Sequence, residues 1–208
     1  MNRRGFLLVL EGIDGTGKST LARSLAAWLR ESGHEVITSR EPTDGPHGTA
    51  LRQSAKTGRL SLEDEFALFL KDRAEHVATL IAPALDRGAV VILDRYYFST
   101  AAYQGARGLD PQAIIVENET FAPIPDLVLL LDLDPTTGSA RITRRGDVLD
   151  DFEALDYQRE VRRLFLALDR PFIHRLDASR DAESVFDDAR AQIAHRLNPQ
   201  SAIHNPQS

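Results

Sequence analysis

The chain contains no cysteine. Disulfides, thiolate metal sites and thiol nucleophiles are therefore excluded together. It also lacks a long hydrophobic run. After Met1-Asn2-Arg3-Arg4 the first apolar stretch is only Phe6 to Leu10, too short for a signal-peptide core or for the roughly 20 residues of a membrane span. A soluble cytoplasmic protein with no membrane partner is the expectation. Positive charge is in deficit too: 25 Lys and Arg against 31 Asp and Glu leave a formal charge of -6. That balance argues against a general nucleic-acid binder, which needs a basic face. It leaves a small anionic ligand open, because a few local Arg or Lys residues can hold phosphate in an acidic protein.

What is present is a repeating pattern. The 208 residues suit one domain with a core that folds without staples, expected over residues 1–197. A polar tail with two prolines, 198–208, is expected to be disordered. Apolar strand-length runs recur at Phe6–Leu10, Glu35–Ser39, Ala89–Asp94, Leu127–Asp132 and Phe172–Leu176. Between them lie helical patterns. Lys18–Glu31 puts Leu21, Leu25, Trp28 and Leu29 on one face, with Gly33 as a stop. Ser61-Leu62-Glu63-Asp64 reads as a capping box opening a long helix that Pro83 kinks or ends. Further helices are expected at Tyr97–Ala106, Pro111–Phe121, Pro135–Arg145, Phe152–Asp169 and Ala182–Arg196. Near-continuous apolar strands alternating with helices indicate an α/β fold: a five-stranded parallel sheet with helices on both faces, three layers in all. Ligands of such sheets bind outside the carboxyl ends of the strands.

One motif carries chemistry directly. Gly12-Ile13-Asp14-Gly15-Thr16-Gly17-Lys18-Ser19 meets the pattern G-x-x-x-x-G-K-[ST]. Its glycines let backbone N–H groups approach phosphate oxygens, Lys18 reaches the β and γ phosphates, and the Ser19 hydroxyl suits Mg²⁺. The helix that follows adds its positive N-terminal end. An apolar strand before the loop and an amphipathic helix after it are the context the motif requires. A second carboxylate should accompany it, and Val90-Val91-Ile92-Leu93-Asp94 supplies one at a strand end, placed to hold Mg²⁺ through water. The fold expected is therefore of the P-loop NTPase type, with ATP as co-substrate and Mg²⁺ as cofactor. No Asn is followed by Lys anywhere, so a guanine-reading Asn-Lys-x-Asp segment is missing and a GTPase is disfavoured.

The acceptor is named by a wider resemblance. Glu11 to Thr20, Ser39-Arg40-Glu41-Pro42-Thr43, Asp72-Arg73-Ala74-Glu75-His76, Asp94-Arg95-Tyr96-Tyr97-Phe98-Ser99 and Ala102-Tyr103-Gln104-Gly105 resemble the thymidylate kinases in order and spacing, over roughly residues 5 to 195. The resemblance implies transfer of the ATP γ-phosphoryl to dTMP in a homodimeric enzyme. It implies that the loop, Gly12 to Thr20, binds ATP. It places Asp14, Pro42, Arg52, Phe69, Arg73, Arg95, Ser99, Thr100, Tyr103 and Gln104 at the dTMP site. Within that set it implies that Phe69 stacks on the base, Arg73 bonds the base edge and Tyr103 crowds the 2′ position. Phe69 and Arg73, four residues apart, share one helical face. Arg offers a planar fork suited to phosphate and pyrimidine edges.

A compact basic run, Arg141-Ile142-Thr143-Arg144-Arg145, follows at i, i+3 and i+4 spacing. It fits a lid, about residues 138–150, that closes over ATP and contributes positive charge to the transferred phosphoryl. The family divides by whether its catalytic arginine sits in the loop or the lid. Thr16 at the loop position and the Arg-rich lid resemble the lid-arginine bacterial type. The catalytic set expected is Lys18, Asp14, Arg95 and the three lid arginines. One departure stands out: Thr43-Asp44-Gly45-Pro46-His47-Gly48-Thr49 replaces the Gly-Gly-Thr often found after the Arg-Glu-Pro segment. Two other readings stay open: a related nucleotide or nucleoside kinase with another acceptor, and a nucleotide-binding protein without turnover.

Overall fold

In a computed structural model, which describes residues 5–58, 60–144 and 152–197, five strands form one parallel sheet in the order β2-β3-β1-β4-β5. They are β1 (Phe6–Glu11), β2 (Val36–Arg40), β3 (Val90–Asp94), β4 (Leu127–Asp132) and β5 (Ile173–Asp177). The three central strands are apolar nearly throughout because both of their faces are covered. The edge strands β2 and β5 are the ones with mixed burial.

Strand alternation sorts these side chains into two cores. Leu7, Val9, Val91, Leu93, Val128 and Leu130 point to one face. There they meet α3 (Leu62–His76), α5 (Tyr97–Gly105), α6 (Pro111–Glu119) and α8 (Phe152–Leu166). Leu8, Leu10, Val90, Ile92, Leu127 and Leu129 point to the other, against α1 (Lys18–Glu31) and α9 (Ala182–Leu197). Trp28 of α1 meets Phe186 of α9 edge-on at 6.5 Å.

Most expected elements form within a residue or three of their expected ends. Helix α3 is capped as expected, with Ser61 Oγ accepting from the Asp64 N–H at 3.1 Å. Its first turn carries Glu63, Asp64 and Glu65, which suit the positive helix start. The break expected at Pro83 is a π turn, Val77–Ile81, that leads into the short α4 (Ala82–Asp86). Pro83 has no N–H to continue an ordinary helical ladder through this point. One helix was not anticipated: α2 (Pro46–Thr57) occupies the segment that departs from the family pattern. Its turn residues at 43–49 masked a helix whose N1 position is the proline itself.

Helix α7 (Pro135–Thr143) begins the segment expected to form the lid. Its N-cap Asp134 accepts from the Thr136 N–H at 2.9 Å. Residues 145–151 and 198–208, and with them Arg145, most of the expected lid and the expected tail, lie outside the described residues. Among the described residues, no helix is long and apolar enough to cross a membrane. All five strands point their carboxyl ends to one edge, where Glu11, Arg40, Asp94, Asp132 and Asp177 stand. The polar chemistry gathers there.

Candidate active site

The loop after β1 wraps around the Lys18 side chain. Nζ of Lys18 donates to the carbonyls of Gly12 (2.9 Å) and Ile13 (2.8 Å) and reaches Thr16 Oγ1 at 3.4 Å. The loop needs its glycines for space and for backbone angle. Gly12 and Gly15 have φ of 136° and 83°. A Cβ on Gly15 would stand 2.4 Å from the Gly138 carbonyl oxygen, and one on Gly138 would stand 2.7 Å from that of Asp14. The loop and α7 therefore touch backbone to backbone, and glycine on each side allows it. Burial pushes the Lys18 ammonium down to about 7, and repulsion from Arg95 adds to this against the pull of Asp14, Asp94 and Glu11. A desolvated cation with no carboxylate in hydrogen-bond contact among the described residues is suited to an incoming polyanion.

Behind the loop, the Ser19 hydroxyl donates to Asp94 Oδ2 at 2.5 Å. Helix α1 and strand β3 are thus joined by a hydroxyl and a carboxylate. Both are hard oxygen donors of the kind that hold Mg²⁺ together with phosphate and water. Among the described residues no group of three or more His, Asp or Glu forms a metal cage, so the remaining ligands of such an ion would have to come from nucleotide and solvent.

Arg95 links the loop to the next helix. It is the one described non-glycine residue with positive φ, 74°, a conformation a large side chain adopts at a cost of order 1 kcal/mol. Its Nη2 donates to Asp14 Oδ1 at 2.5 Å and to Tyr103 Oη at 3.2 Å. Its Nη1 donates to Ser99 Oγ at 3.0 Å and the Gly12 carbonyl at 3.3 Å. Burial opposes the Arg95 charge, but Tyr103, Asp14 and Glu11 outweigh it and push its ionisation above the ordinary range. Desolvation likewise opposes the Asp14 charge, and Arg95 with Lys18 overcomes it, holding that carboxyl below the usual range. Burial pushes the Tyr103 phenol up to about 12, so it stays neutral.

Two cavities flank this pair. One, about 340 Å³, is lined by Asp14, Pro42, Arg52, Phe69, Arg73, Arg95, Ser99, Thr100, Tyr103 and Gln104. The structure thus brings together every residue the resemblance assigned to the dTMP site. At its floor Arg73 is almost fully buried. It donates to Glu41 Oε2 (2.8 Å), Asn118 Oδ1 (2.6 Å) and Thr100 Oγ1 (3.1 Å). His76 Nδ1 lies 3.1 Å from the other Glu41 oxygen, and its Nε2 lies 2.8 Å from Ser39 Oγ. At its rim Arg52 donates to the Pro42 carbonyl (2.8 Å) and to Asp44 Oδ1 (3.0 Å). The buried Gln104 Oε1 has no hydrogen-bond partner among the described residues. The second cavity, about 320 Å³, opens on the far side of the loop. Gly15, Thr16, Gly17 and Thr20 line it with Arg141, Arg180 and Phe186. Arg141 donates to the Ala178 carbonyl at 2.9 Å, which joins α7 to the turn after β5. Arg144 is exposed just past the end of α7.

The family model for thymidylate kinase matches residues 10–189. The curated "Thymidylate kinase" of Xanthomonas campestris pv. campestris (strain B100) is 56% identical over 193 residues, 93% of this chain and 85% of that protein. That of Xanthomonas oryzae pv. oryzae (strain PXO99A) is 54% identical with the same coverage. That of Xylella fastidiosa (strain M12) is 52% identical over 93% of this chain and 88% of its own. The chain belongs to the thymidylate kinase family.

Several residues around this thymidylate kinase site escape a reading of the sequence. Glu11 closes an otherwise apolar strand yet is fully buried. That charge at the end of a core strand was a visible signal. Burial pushes its carboxyl up to about 7, against the Ser99 hydrogen bond and the Arg95 charge. Glu41 was quoted only as part of a motif, and its pairing with Arg73 needed the fold. Asn118, Tyr157 and Arg180 gave no signal, because each reaches the site from an element distant in sequence.

Proposed function

We propose that this thymidylate kinase family member transfers the γ-phosphoryl group of ATP to the 5′-phosphate of dTMP, giving ADP and dTDP. One observation carries the reading: the phosphate loop borders two cavities of similar size, one lined by Asp14 and Arg95 and the other by Gly15, Thr16 and Gly17. An oxygen of the acceptor phosphate attacks the γ-phosphorus, and the bond to the β,γ-bridging oxygen breaks toward ADP. Both partners are anions, so catalysis is positioning plus charge neutralisation. Lys18 and the loop N–H groups hold the donor phosphates. Arg95 and Arg52 hold the acceptor phosphate. Arg141, Arg144 and Arg145 add lid charge on the donor side, and Thr16 in the loop is consistent with a catalytic arginine supplied from there. Ser19 and Asp94 would hold Mg²⁺, which would supply further charge neutralisation there.

On the acceptor side, Phe69 provides a flat face for the base and Arg73 with Thr100 and Gln104 its polar edge. Tyr103 narrows the pocket where a ribose 2′-hydroxyl would sit. We infer a homodimer acting in the cytoplasm on the same resemblance. Sedimentation velocity tests the dimer. The activity is tested by measuring ADP formation with ATP, Mg²⁺ and, separately, dTMP, dUMP, UMP and thymidine. Fastest turnover on dTMP supports the reading, another preferred acceptor replaces it with a related kinase, and no turnover on any overturns it.

A further inference from the structure

Arg95 needs something to hold it. Its backbone is in the left-handed region, and it starts the turn into α5, whose N-cap Tyr96 offers no side-chain cap. The missing cap comes from another strand. Glu11 Oε1 accepts from the Tyr96 N–H at 2.9 Å and the Ser99 N–H at 3.1 Å. A carboxylate at this position also suits the positive end of α5.

The second carboxylate oxygen matters more for the chemistry. Ser99 Oγ donates to Glu11 Oε2 at 2.6 Å. A serine hydroxyl has one hydrogen and two lone pairs. With its hydrogen committed to Glu11, Ser99 turns only lone pairs outward, and Arg95 Nη1 donates to one of them at 3.0 Å. Ionised Glu11 can only accept, so above the value of about 7 to which burial raises its carboxyl it sets the direction of every bond in the chain Arg95 to Ser99 to Glu11.

We propose that Glu11 is a positioning residue for phosphoryl transfer, orienting the Ser99 hydroxyl so that Ser99 serves as acceptor to Arg95 rather than as donor to the nucleotide. This rests on the acceptor-side reading of Arg95 given above. Glu11 touches no substrate. Its hydrogen-bonded effect travels through one hydroxyl to one guanidinium, beside the direct pull of its charge on Arg95, and it ties the strand before the phosphate loop to the helix that walls the acceptor cavity.

Replacing Glu11 by Gln isolates this role. The Gln carbonyl still accepts from the Tyr96 and Ser99 N–H groups, so the helix cap survives. Its NH₂ meets Ser99 where Oε2 stood and donates instead of accepting, which takes away the acceptor that fixed the hydroxyl hydrogen and leaves the lone pair facing Arg95 no longer enforced. The test is a double-mutant cycle of wild type, Glu11→Gln, Ser99→Ala and the double variant, with KM for dTMP and for ATP measured separately and melting temperatures recorded.

Each single variant is expected to raise KM for dTMP about tenfold, the scale of losing one charge-assisted contact, and the double variant to be no worse than either alone. KM for ATP should stay within about twofold, since uniform donor binding does not pass through Ser99. A double variant near a hundredfold, an unchanged KM for dTMP in Glu11→Gln, or equal losses for both nucleotides overturns the proposal. If Glu11→Gln does not fold, Ser99→Ala alone decides: an unchanged KM for dTMP overturns it. If wild type prefers another nucleoside monophosphate, the function proposed above fails, and the same cycle run on that acceptor still tests Glu11.

Discussion

Lys18→Met should remove turnover and at the same time make the free protein more stable. The wild-type ammonium is buried and lowered from its ordinary 10.5 to about 7. At about 1.4 kcal/mol per tenfold in proton affinity, that drop corresponds to about 5 kcal/mol held against folding. Met fills a similar length without charge, but it leaves the Gly12 and Ile13 carbonyls without their charged donor, at about 1 to 2 kcal/mol each. The net gain is on the order of 1–3 kcal/mol, or several degrees in melting temperature for a chain of this size.

The sign follows from linkage. Below about pH 7 both folded and unfolded Lys18 are protonated and the penalty is full. Between 7 and 10.5 the unfolded chain binds the extra proton, so wild-type stability rises with pH and the penalty is gone above 10.5. The variant lacks this slope, so its advantage should shrink to zero within that window and reverse toward pH 10.5, where only the lost contacts to the Gly12 and Ile13 carbonyls remain. Calorimetry from pH 6.5 to 10 measures it, beside an ADP-release assay in which kcat falls by at least about 10²- to 10³-fold for loss of a group aimed at developing charge. A variant that melts below wild type at pH 7, or that retains turnover, refutes the reasoning.

Four further outcomes are expected. Arg95→Ala should raise KM for dTMP by about 10- to 100-fold through loss of a bidentate-capable cation, with KM for ATP little changed; steady-state kinetics decides. Arg73→Met should cost about 3–5 kcal/mol in a urea titration, because it removes the guanidinium from the buried Glu41 carboxylate and leaves only His76 beside it; a cost under 1 kcal/mol would contradict that pairing. Gly138→Ala should lower kcat without unfolding the protein, since its Cβ presses on the Asp14 carbonyl 2.7 Å away; overpacking of this kind costs about 1–3 kcal/mol and displaces the loop. Tyr103→Phe keeps the ring proposed to fill the 2′ position but removes the hydroxyl that accepts from Arg95, so the preference for dTMP over its ribo analogue should persist while KM for dTMP rises a fewfold, about the worth of one hydrogen bond.

The strands were legible because periodicity carries them. Phe6–Glu11, Val90–Asp94 and Leu127–Asp132 are apolar runs whose only available cover is a layer on each face. The phosphate loop was legible because its glycines and Lys18 are contiguous, so a local pattern contains the whole device. The helix Pro46–Thr57 was not, since its turn-forming residues outweighed any amphipathic stripe. The acceptor cavity was legible only through resemblance: by pattern alone Phe69 reads as core and Arg52 as a solvated charge.

By itself, the sequence determined the sheet, the donor loop and the identity of the charged groups, all of which follow from spacing along one segment. Tertiary structure decided what those groups do to one another. It set Glu11 beneath Tyr96 and Ser99 and Arg73 between Glu41 and Asn118. It also brought the Gly138 backbone against the loop. Hydrogen-bond direction and burial depend on partners as distant as Glu11 and Ser99, 88 residues apart, and no local pattern encodes them.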